Sequence, residues 1–321
     1  MRILRKRLMW LAITMGVVMV SGEIFARYYL GLGTPPLSIT HPRIEYMFKP
    51  DQDVYRFGNH IIINQHGMRT APFSVDKVDG ESRVMVFGDS VLNGGNQTDH
   101  AALATSILQE RLGEGNQKIV VGNISAGSWG PGNWLAYAKE YGFFGANTVV
   151  LFISSHDYAD NPTFQPLNEN TQPTNRPVFA LLEGITRYLP RYLPQLATSG
   201  APSEVDSFAE TSNEQEVMRG LKDLRNFLEL AKNNSTNVLV LQHWEKKEIE
   251  GGAAMSGNKE IRMLCESMGI TPISLEPYIR RAIENGNNPY RDNIHLNQIG
   301  QQLIANAIFE NLPKNVLYRT R

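Results

Sequence analysis

The sequence predicts an α/β protein whose mostly parallel sheet is covered by helices on both faces. The first observation is a rhythm that begins at Ser82, where short apolar segments alternate with longer segments of helical spacing. The second is that the apolar segments are nearly continuous, as in strands buried on both faces. Strands that alternate with helices are joined by right-handed crossovers, and such crossovers build a parallel sheet.

Five segments are predicted as strands, the last of them weak: RVMVFG, KIVVGNIS, NTVVLFISS, TNVLVLQHW and TPISLE. Five more are predicted as helices: AALATSILQERLG, NWLAYAKEYG, EQEVMRGLKDLRNFLELAKN, NKEIRMLCESMG and NQIGQQLIANAIFENL. Residues 161–214 break the rhythm because they are rich in Pro, Asn, Thr and Ser. They are predicted as an insertion above the sheet, either a lid or substrate wall or a surface decoration.

The first thirty residues have the pattern of an export signal. MRILRKR carries four basic residues, and residues 8–20 contain no charge. A signal peptide cleaved at VSG (residues 20–22) and an uncleaved anchor of about 20 residues both fit, and the anchor is favoured. Glu23 and Arg27 lie four apart on one helical face and can pair near the interface. The basic end stays in the cytoplasm, which places the body outside the inner membrane.

The predicted organisation has three parts. Residues 1–35 are the anchor or signal peptide, 36–81 a small β-rich segment, and 82–321 the main domain with its insertion at 161–214. Within the β-rich segment, DVYRFGNHIIINQHGMR is predicted as a hairpin or two short strands. Composition is that of an ordinary globular protein, with 42% hydrophobic and 20% charged residues among 321. The net charge of −1 gives no electrostatic reason to expect nucleic acid as a partner.

Polar residues and glycines follow each predicted strand. Ligands of open parallel sheets bind outside the carboxyl ends of the strands, so these residues are the natural place to seek a site. Ser90 follows the first strand in VMVFGDSVLNGG, and the other strands are followed by NISAGSWGPGN, SSHDYADN, QHWEKK and, past the fifth, YRDNIHLNQIG. A serine, a glycine-rich loop, two histidines and an Asp-x-x-His are thus predicted to converge on one edge.

These residue types fit nucleophilic catalysis. A serine hydroxyl is a weak nucleophile until a neighbouring base takes its proton, and histidine titrates near neutrality. An aspartate bonded to the other ring nitrogen fixes the tautomer and stabilises the imidazolium. Asp292 and His295 are three apart, close enough for one tight turn to supply both. The alternative for Asp292 is a helix cap.

VFGDSVLNGG, the glycine-bearing second block and the late DNIH resemble the SGNH (GDSL-type) hydrolase family over about residues 82–312. The resemblance implies a flavodoxin-like three-layer sandwich with a five-stranded sheet, and an esterase or acyl-group transferase activity. It also implies that Ser90 is the nucleophile, His295 the base and Asp292 its orienting acid.

The resemblance further implies an oxyanion hole. Its donors are the backbone N–H of Ser90, a glycine N–H of the second block and, in the family, an asparagine of the third block. Gly127 is the expected glycine, with Gly130 as the alternative register. In SSHD, His156 stands where the asparagine is expected. Because histidine can donate a hydrogen bond, His156 is expected to take that role.

Asp89 and His243 are candidates for substrate contact, and for His243 packing beside Trp244 is the favoured alternative. No cofactor is expected, because GNISAGS has the glycine spacing of a phosphate loop without its lysine. No G-x-S-x-G elbow occurs either. Four residues could converge on a metal, but their spacing does not demand one and no metal is expected: Asp89, His156, Asp157 and His295.

The expected function is an exported serine esterase that removes acyl groups, most simply acetyl, from envelope or exopolysaccharide sugars. Its expected partners are the ester or acylated carbohydrate and the inner membrane. NQHGMR resembles the segment that precedes this domain in bacterial polysaccharide-associated members of the family. Two alternatives remain open. One is an O-acetyltransferase that uses the same residues; the other is a non-catalytic scaffold of a polysaccharide assembly, which the altered third block favours.

Overall fold

The protein begins with a long helix, α1 (Arg2–Tyr28). The computed structural model describes residues 2–114, 118–189 and 213–313, so part of the predicted insertion and the predicted end at 321 lie outside the described residues. Within those ranges, α1 is the one helix long and apolar enough to cross a membrane, with a hydropathy of 1.8 and no part of its apolar window buried against protein. A signal sequence has the same properties.

Two antiparallel hairpins follow α1. The first pairs β1 (Ser38–His41) with β2 (Glu45–Phe48), and the second pairs β3 (Gln52–Arg56) with β4 (Asn59–Ile63). The second hairpin was predicted from its alternating pattern, whereas the first was not. Three residues of the first hairpin lie in the same hydrophobic core as the main sheet: Ile44, Tyr46 and Met47.

The main sheet has five parallel strands in the order β6-β5-β7-β8-β9. They are β5 (Ser82–Gly88), β6 (Ile119–Ser125), β7 (Thr148–Ile153), β8 (Asn237–Gln242) and the two-residue β9 (Ile273–Ser274). The order 2-1-3-4-5 is that of flavodoxin-like sheets, in which ligands bind where the chain switches from one side of the first strand to the other. The predicted α/β fold with five parallel strands is confirmed.

Helices connect the strands and complete the fold. They are α2 (Ser90–Asn93), α3 (Ala104–Gly113), α4 (Pro131–Tyr141), α5 (Ala180–Glu183), α6 (Glu214–Asn234), α7 (Lys246–Gly251), α8 (Ser256–Ser267), α9 (Glu276–Glu284) and α10 (Gln298–Asn311). A π-helical turn, Gly184–Tyr188, continues α5. The five predicted helices correspond to α3, α4, α6, α8 and α10, while α2, α7 and α9 were not predicted.

Side chains of β5 alternate between two cores on opposite faces of the sheet. Phe87 packs in one core with Phe227 of α6. Val86 packs in the other core, which also contains Leu108 of α3 and Ile304 of α10. Burial of each such side chain contributes about 1.5–3 kcal/mol. The three layers hold the carboxyl ends of the strands in fixed positions, and the predicted site lies there.

Candidate active site

Ser90 lies directly after β5, as the first residue of the short helix α2. The fully buried Asp89 caps that helix, because its Oδ1 accepts the backbone N–H of Val91 at 2.9 Å. A Cβ at Gly88 would lie 2.8 Å from the side chain of Leu92, so the strand can turn this tightly into the helix only through glycine. The turn leaves Ser90 partly exposed at the edge of the sheet.

Ser90, His295 and Asp292 form a continuous chain of hydrogen bonds. Ser90 Oγ lies 2.9 Å from His295 Nε2, and His295 Nδ1 lies 2.9 Å from Asp292 Oδ2. Asp292 Oδ1 accepts the backbone N–H groups of Ile294 at 3.0 Å and His295 at 2.7 Å. Burial opposes ionisation of Asp292, but the hydrogen bonds from His295 and Ile294 hold its pKa well below its usual range. The carboxylate is therefore ionised at neutral pH.

His243 supports the turn that carries His295. Its ring is fully buried beside Phe152, and its Nε2 donates to the carbonyl of Ile294 at 2.9 Å. Burial lowers the pKa of His243 to about 4, so the ring is neutral at pH 7. The structure does not bring His243 to the surface, and the substrate contact considered for it stays a prediction.

The glycine-rich second block lies beside Ser90. Gly130 N–H donates to Asn133 Oδ1 at 3.0 Å, which leaves this N–H engaged. Gly127 N–H, by contrast, has no acceptor among the described residues, and neither has the N–H of Ser90. The hydroxyl of Tyr46 donates to the carbonyl of Gly127. Of the two registers that the sequence leaves open, the Gly127 N–H is the one available to an anion.

His156 opens a 3₁₀ turn after β7 and lies among three carboxylates. Its Nδ1 lies 3.0 Å from Glu245 Oε1, and its Nε2 lies 3.4 Å from both Asp89 Oδ2 and Asp157 Oδ1. Burial opposes a charge on this ring, yet the surrounding carboxylates raise the pKa of His156 well above its ordinary value. Both ring nitrogens thus face carboxylates. The oxyanion role expected of His156 requires one N–H to leave its carboxylate, and stays a prediction.

The pKa values of two acids around His156 shift in opposite directions. Burial favours the neutral form of Asp89, but His156 holds its pKa below the usual value. Burial and the neighbouring Asp89 raise the pKa of Asp157 well above its ordinary range. Ligand atoms of Asp89, His156 and Asp157 lie within 4.8 Å of one another, and the same atoms form the ion pairs just described. Asp89 is fully buried, so the substrate contact considered for it also stays a prediction.

Sequence reasoning did not single out Glu245, Tyr46 or Arg69. Glu245 stands in QHWEKK, two residues after His243, and an acid at a strand end is the signal that could have found it. Arg69, from NQHGMR, is buried and donates to the carbonyls of Gly95 and Thr98. The β-rich segment therefore supports two loops of the site, since Tyr46 holds the second block and Arg69 holds the residues after α2.

No protein-family model matches the chain, and no curated protein matches it. Solved structures similar to it include a catalytic mutant of Axe2, an acetylxylan esterase from Geobacillus stearothermophilus, with a TM-score of 0.47, 12% identity, and coverage of 77% of this chain and 100% of that one. LAE5, an α/β hydrolase enzyme from the metagenome of Lake Arreo, Spain, has a TM-score of 0.45, 15% identity, and coverage of 71% and 94%. A member of the lipolytic G-D-S-L family from Veillonella parvula has a TM-score of 0.41 and 12% identity. The match covers 72% of this chain and 97% of that one.

Proposed function

We propose that the chain is a serine esterase with Ser90 as nucleophile, His295 as general base and Asp292 as the acid that orients His295. The observation that carries the proposal is the unbroken geometry from Ser90 Oγ to His295 Nε2 and from His295 Nδ1 to Asp292, at 2.9 Å each. A helix cap does not explain this arrangement, because Asn297 caps α10, whereas Asp292 accepts two backbone N–H groups with one oxygen and faces the imidazole with the other.

In the acylation step, Ser90 Oγ attacks the ester carbonyl and His295 Nε2 takes the hydroxyl proton. Ionised Asp292 stabilises the imidazolium that forms. The oxyanion of the tetrahedral intermediate accepts hydrogen bonds from the N–H groups of Ser90 and Gly127, each of which has no acceptor among the described residues. The C–O bond to the alcohol then breaks, and His295 returns the proton to the leaving alkoxide.

In the second step, water attacks the acyl-serine ester. His295 takes a proton from the water, and the carboxylic acid leaves as the proton returns to Ser90 Oγ. If a sugar hydroxyl attacks instead of water, the same residues transfer the acyl group to that sugar. Ser90 and His295 are both partly exposed, so either acceptor can reach them from solvent.

The proposed substrates are acylated, most simply acetylated, sugars of the envelope or of an exopolysaccharide. The proposed location is the bacterial inner membrane, with α1 as a single-pass anchor and the catalytic domain on the periplasmic side. The apolar α1 behind a basic N-terminal stretch supports this location. Substrates of an enzyme held there are those of the cell envelope.

A non-catalytic scaffold is the second candidate function. The observation in its favour is that both nitrogens of His156 face carboxylates, which leaves two backbone donors for an oxyanion. Loss of one such donor typically costs about 2.7–4 kcal/mol in the transition state. A scaffold has no use for an aligned Ser90, His295 and Asp292, and for this reason the esterase is preferred.

A fluorophosphonate probe, which reacts with activated serines, separates these functions. We expect the full chain in detergent to be labelled at Ser90, and we expect Ser90→Ala to abolish the label. Ser267→Ala removes an exposed serine at the end of α8 and is the matched control that keeps the label. A folded wild-type protein that takes no label would favour the scaffold. Acetate release from an acetylated polysaccharide, compared with transfer to a soluble sugar, then distinguishes hydrolase from transferase.

A further inference from the structure

An apolar strip is exposed along α5 and the turn that continues it. Its members have exposed fractions between 44% and 78%: Val178, Phe179, Leu182, Ile185 and Leu189. Leu182, Ile185 and Leu189 are spaced i, i+3 and i+7, which places them on one face of a helix. Water-soluble surfaces seldom expose contiguous apolar side chains of this size without a partner. We call residues 178–189 the apolar strip.

The strip is bound directly to the end of α1. The carboxylate of Glu23 accepts the backbone N–H groups of Ala180 and Leu181, each at 2.9 Å. Arg27 donates to Glu23 at 2.7 Å and to the carbonyl of Val178 at 2.9 Å. The pair that the sequence predicts near the interface therefore forms, and it also holds the start of the strip.

Gly22 allows the two helices to approach closely. A Cβ at this position would lie 3.3 Å from Cδ1 of Leu181, which is tighter than ordinary van der Waals contact. Leu181 and Ala180 also pack with Ala26 in a small apolar cluster. The strip thus lies against residues 22–26 of α1.

The opposite side of the strip is fixed to the body of the protein. Glu183 is buried, pairs with the buried Arg56 of β3 at 2.7 Å, and accepts the N–H of Gly33. Arg56 also donates to the hydroxyl of Tyr188 at 2.8 Å. The charged side chains of this segment, Glu183 and Arg187, are therefore directed toward the protein, whereas Leu182, Ile185 and Leu189 are exposed.

The position of the strip along α1 corresponds to a bilayer boundary. At 1.5 Å per residue, residues 8–27 span about 30 Å, the thickness of the hydrocarbon core. Leu181 contacts α1 at Gly22, about 7 Å inside the far end of that span. Tyr28 and Tyr29 are exposed at the same end and Trp10 at the other, where aromatic belts form.

We propose that the apolar strip lies in the outer-leaflet interface of the bilayer that α1 spans, as a second attachment of the catalytic domain to lipid. This proposal rests on the anchor role of α1 under the proposed function. A single helix would allow the domain to rotate about one axis, whereas a second contact beside it fixes the face that the domain turns to the membrane. We assign lipid as the partner of the strip because the strip is continuous with the exposed apolar surface of α1.

Spin labels on the full chain test this proposal. Leu182→Cys and Ile185→Cys are made in a Cys265→Ala background, labelled with a nitroxide, and reconstituted in phosphatidylethanolamine and phosphatidylglycerol vesicles. Val17→Cys in α1 is the control for lipid, and Met263→Cys, an exposed site on α8, is the control for water. Collision rates with oxygen, which partitions into lipid, are compared with those of a water-soluble nickel chelate.

We expect the labels at 182 and 185 to have an oxygen-to-nickel collision ratio several-fold above that of the label at 263. A ratio equal to that at 263, with the label at 17 in lipid, would overturn the proposal and leave the anchor intact. A label at 17 exposed to water would remove the anchor and this proposal together. Spin–spin broadening at 182 that disappears on dilution with unlabelled protein would assign the strip to a second copy of the chain instead.

Discussion

Under the proposed function, Ser90 is activated by two residues about 200 positions away, and we expect the three residues to contribute unequally. We expect Ser90→Ala and His295→Ala to reduce kcat by on the order of 10⁶-fold and Asp292→Ala by on the order of 10⁴-fold, since the acid only orients and stabilises the base. Steady-state ester hydrolysis by the three folded variants measures the difference. Equal losses in all three would contradict the separate roles assigned to His295 and Asp292.

His156 is the countercharge for buried carboxylates, and its replacement should be costly. We expect His156→Asn and His156→Ala each to lower the free energy of unfolding by about 3–5 kcal/mol, because Asp89 and Glu245 are left buried without a cation. Urea unfolding at pH 7 measures this. His60→Asn is the control, since its ion pair with Asp53 is exposed and should be worth less than about 1 kcal/mol.

An asparagine variant as stable as the wild type would contradict the ion-pair account of His156. Its activity carries separate information on the predicted oxyanion role. If the side chain at 156 donates to the oxyanion, asparagine should keep most of the activity, while alanine should lose about 10²–10³-fold in kcat. Similar losses of kcat in both variants would mean that His156 acts only as part of the buried network of ion pairs.

Protonation of His243 should make stability fall with acid. Its pKa is about 4 in the folded protein against 6.5 when exposed, so between these values the unfolded chain binds a proton that the folded chain does not. Stability contributed by this group is complete above pH 6.5 and is lost as pH falls toward 4. From pH 7 to pH 5 the loss is about 2 kcal/mol.

His243→Gln tests this pH dependence, because an amide can still donate to the carbonyl of Ile294 and does not titrate. Between pH 7 and pH 5, we expect the free energy of unfolding to fall less in the variant than in the wild type. The difference between the two losses should be about 2 kcal/mol. Unfolding curves at the two pH values give the comparison. Parallel losses in both proteins would mean that His243 is not buried in the neutral form.

At the scale of elements, the β1–β2 hairpin positions the second block of the site. Removal of the Tyr46 hydroxyl leaves the Gly127 carbonyl without its donor, and we expect Tyr46→Phe to lower kcat about fivefold with little change in KM. Tyr141→Phe is the matched control, because that hydroxyl bonds only the sulfur of Met47 among the described residues and lies away from the site. Ester hydrolysis kinetics compare the two. Equal effects would contradict the role assigned to the Tyr46 hydroxyl in positioning the second block.

The helices and strands that could be predicted are those whose apolar residues follow a clear periodic pattern. β5 and β7 are apolar on both faces, and α6 and α10 have helical spacing, so their residue patterns suffice. The β1–β2 hairpin has four-residue strands, which are too short for a period to stand out. Helix α9 is nine residues long and begins at Glu276-Pro277. In the sequence alone, this proline can indicate either a loop or the first turn of a helix.

The site was predictable to the extent that it depends on strand ends and local turns. Ser90 after a buried strand and the Asp292–His295 spacing are both local features. The Gly130 N–H is engaged because of Asn133, and the surroundings of His156 depend on Glu245, which follows another strand. The fold brings such partners together from distant parts of the chain, so the sequence pattern does not predict these contacts.

At the scale of the whole molecule, the predicted boundary between 81 and 82 separates segments that share one core. Met47 and Phe87 lie in the same apolar cluster, and Arg69 bonds the chain after α2. Within the insertion, residues 178–189 pack against α1, whereas Thr163 and Pro173 bond the β1–β2 hairpin. The lid or substrate wall that the sequence left open stays a prediction.

Residues 1–22 should remain attached to the protein. We expect the purified protein to retain this segment and to stay in the membrane fraction after carbonate extraction, because the apolar part of α1 is long enough to span a bilayer. Mass spectrometry of protein purified from membranes gives the answer. A mass that corresponds to a start at Glu23, with the protein in the soluble fraction, would identify residues 1–22 as a signal peptide.

The central claim is that Ser90 is an activated nucleophile for ester cleavage. The most direct measurement is hydrolysis of an aryl acetate by the full chain in detergent, beside Ser90→Ala at equal concentration and with folding of both checked by circular dichroism. The account predicts steady turnover by the wild type and none above background by Ser90→Ala. Equal turnover by both proteins, or none by a folded wild type, would contradict it.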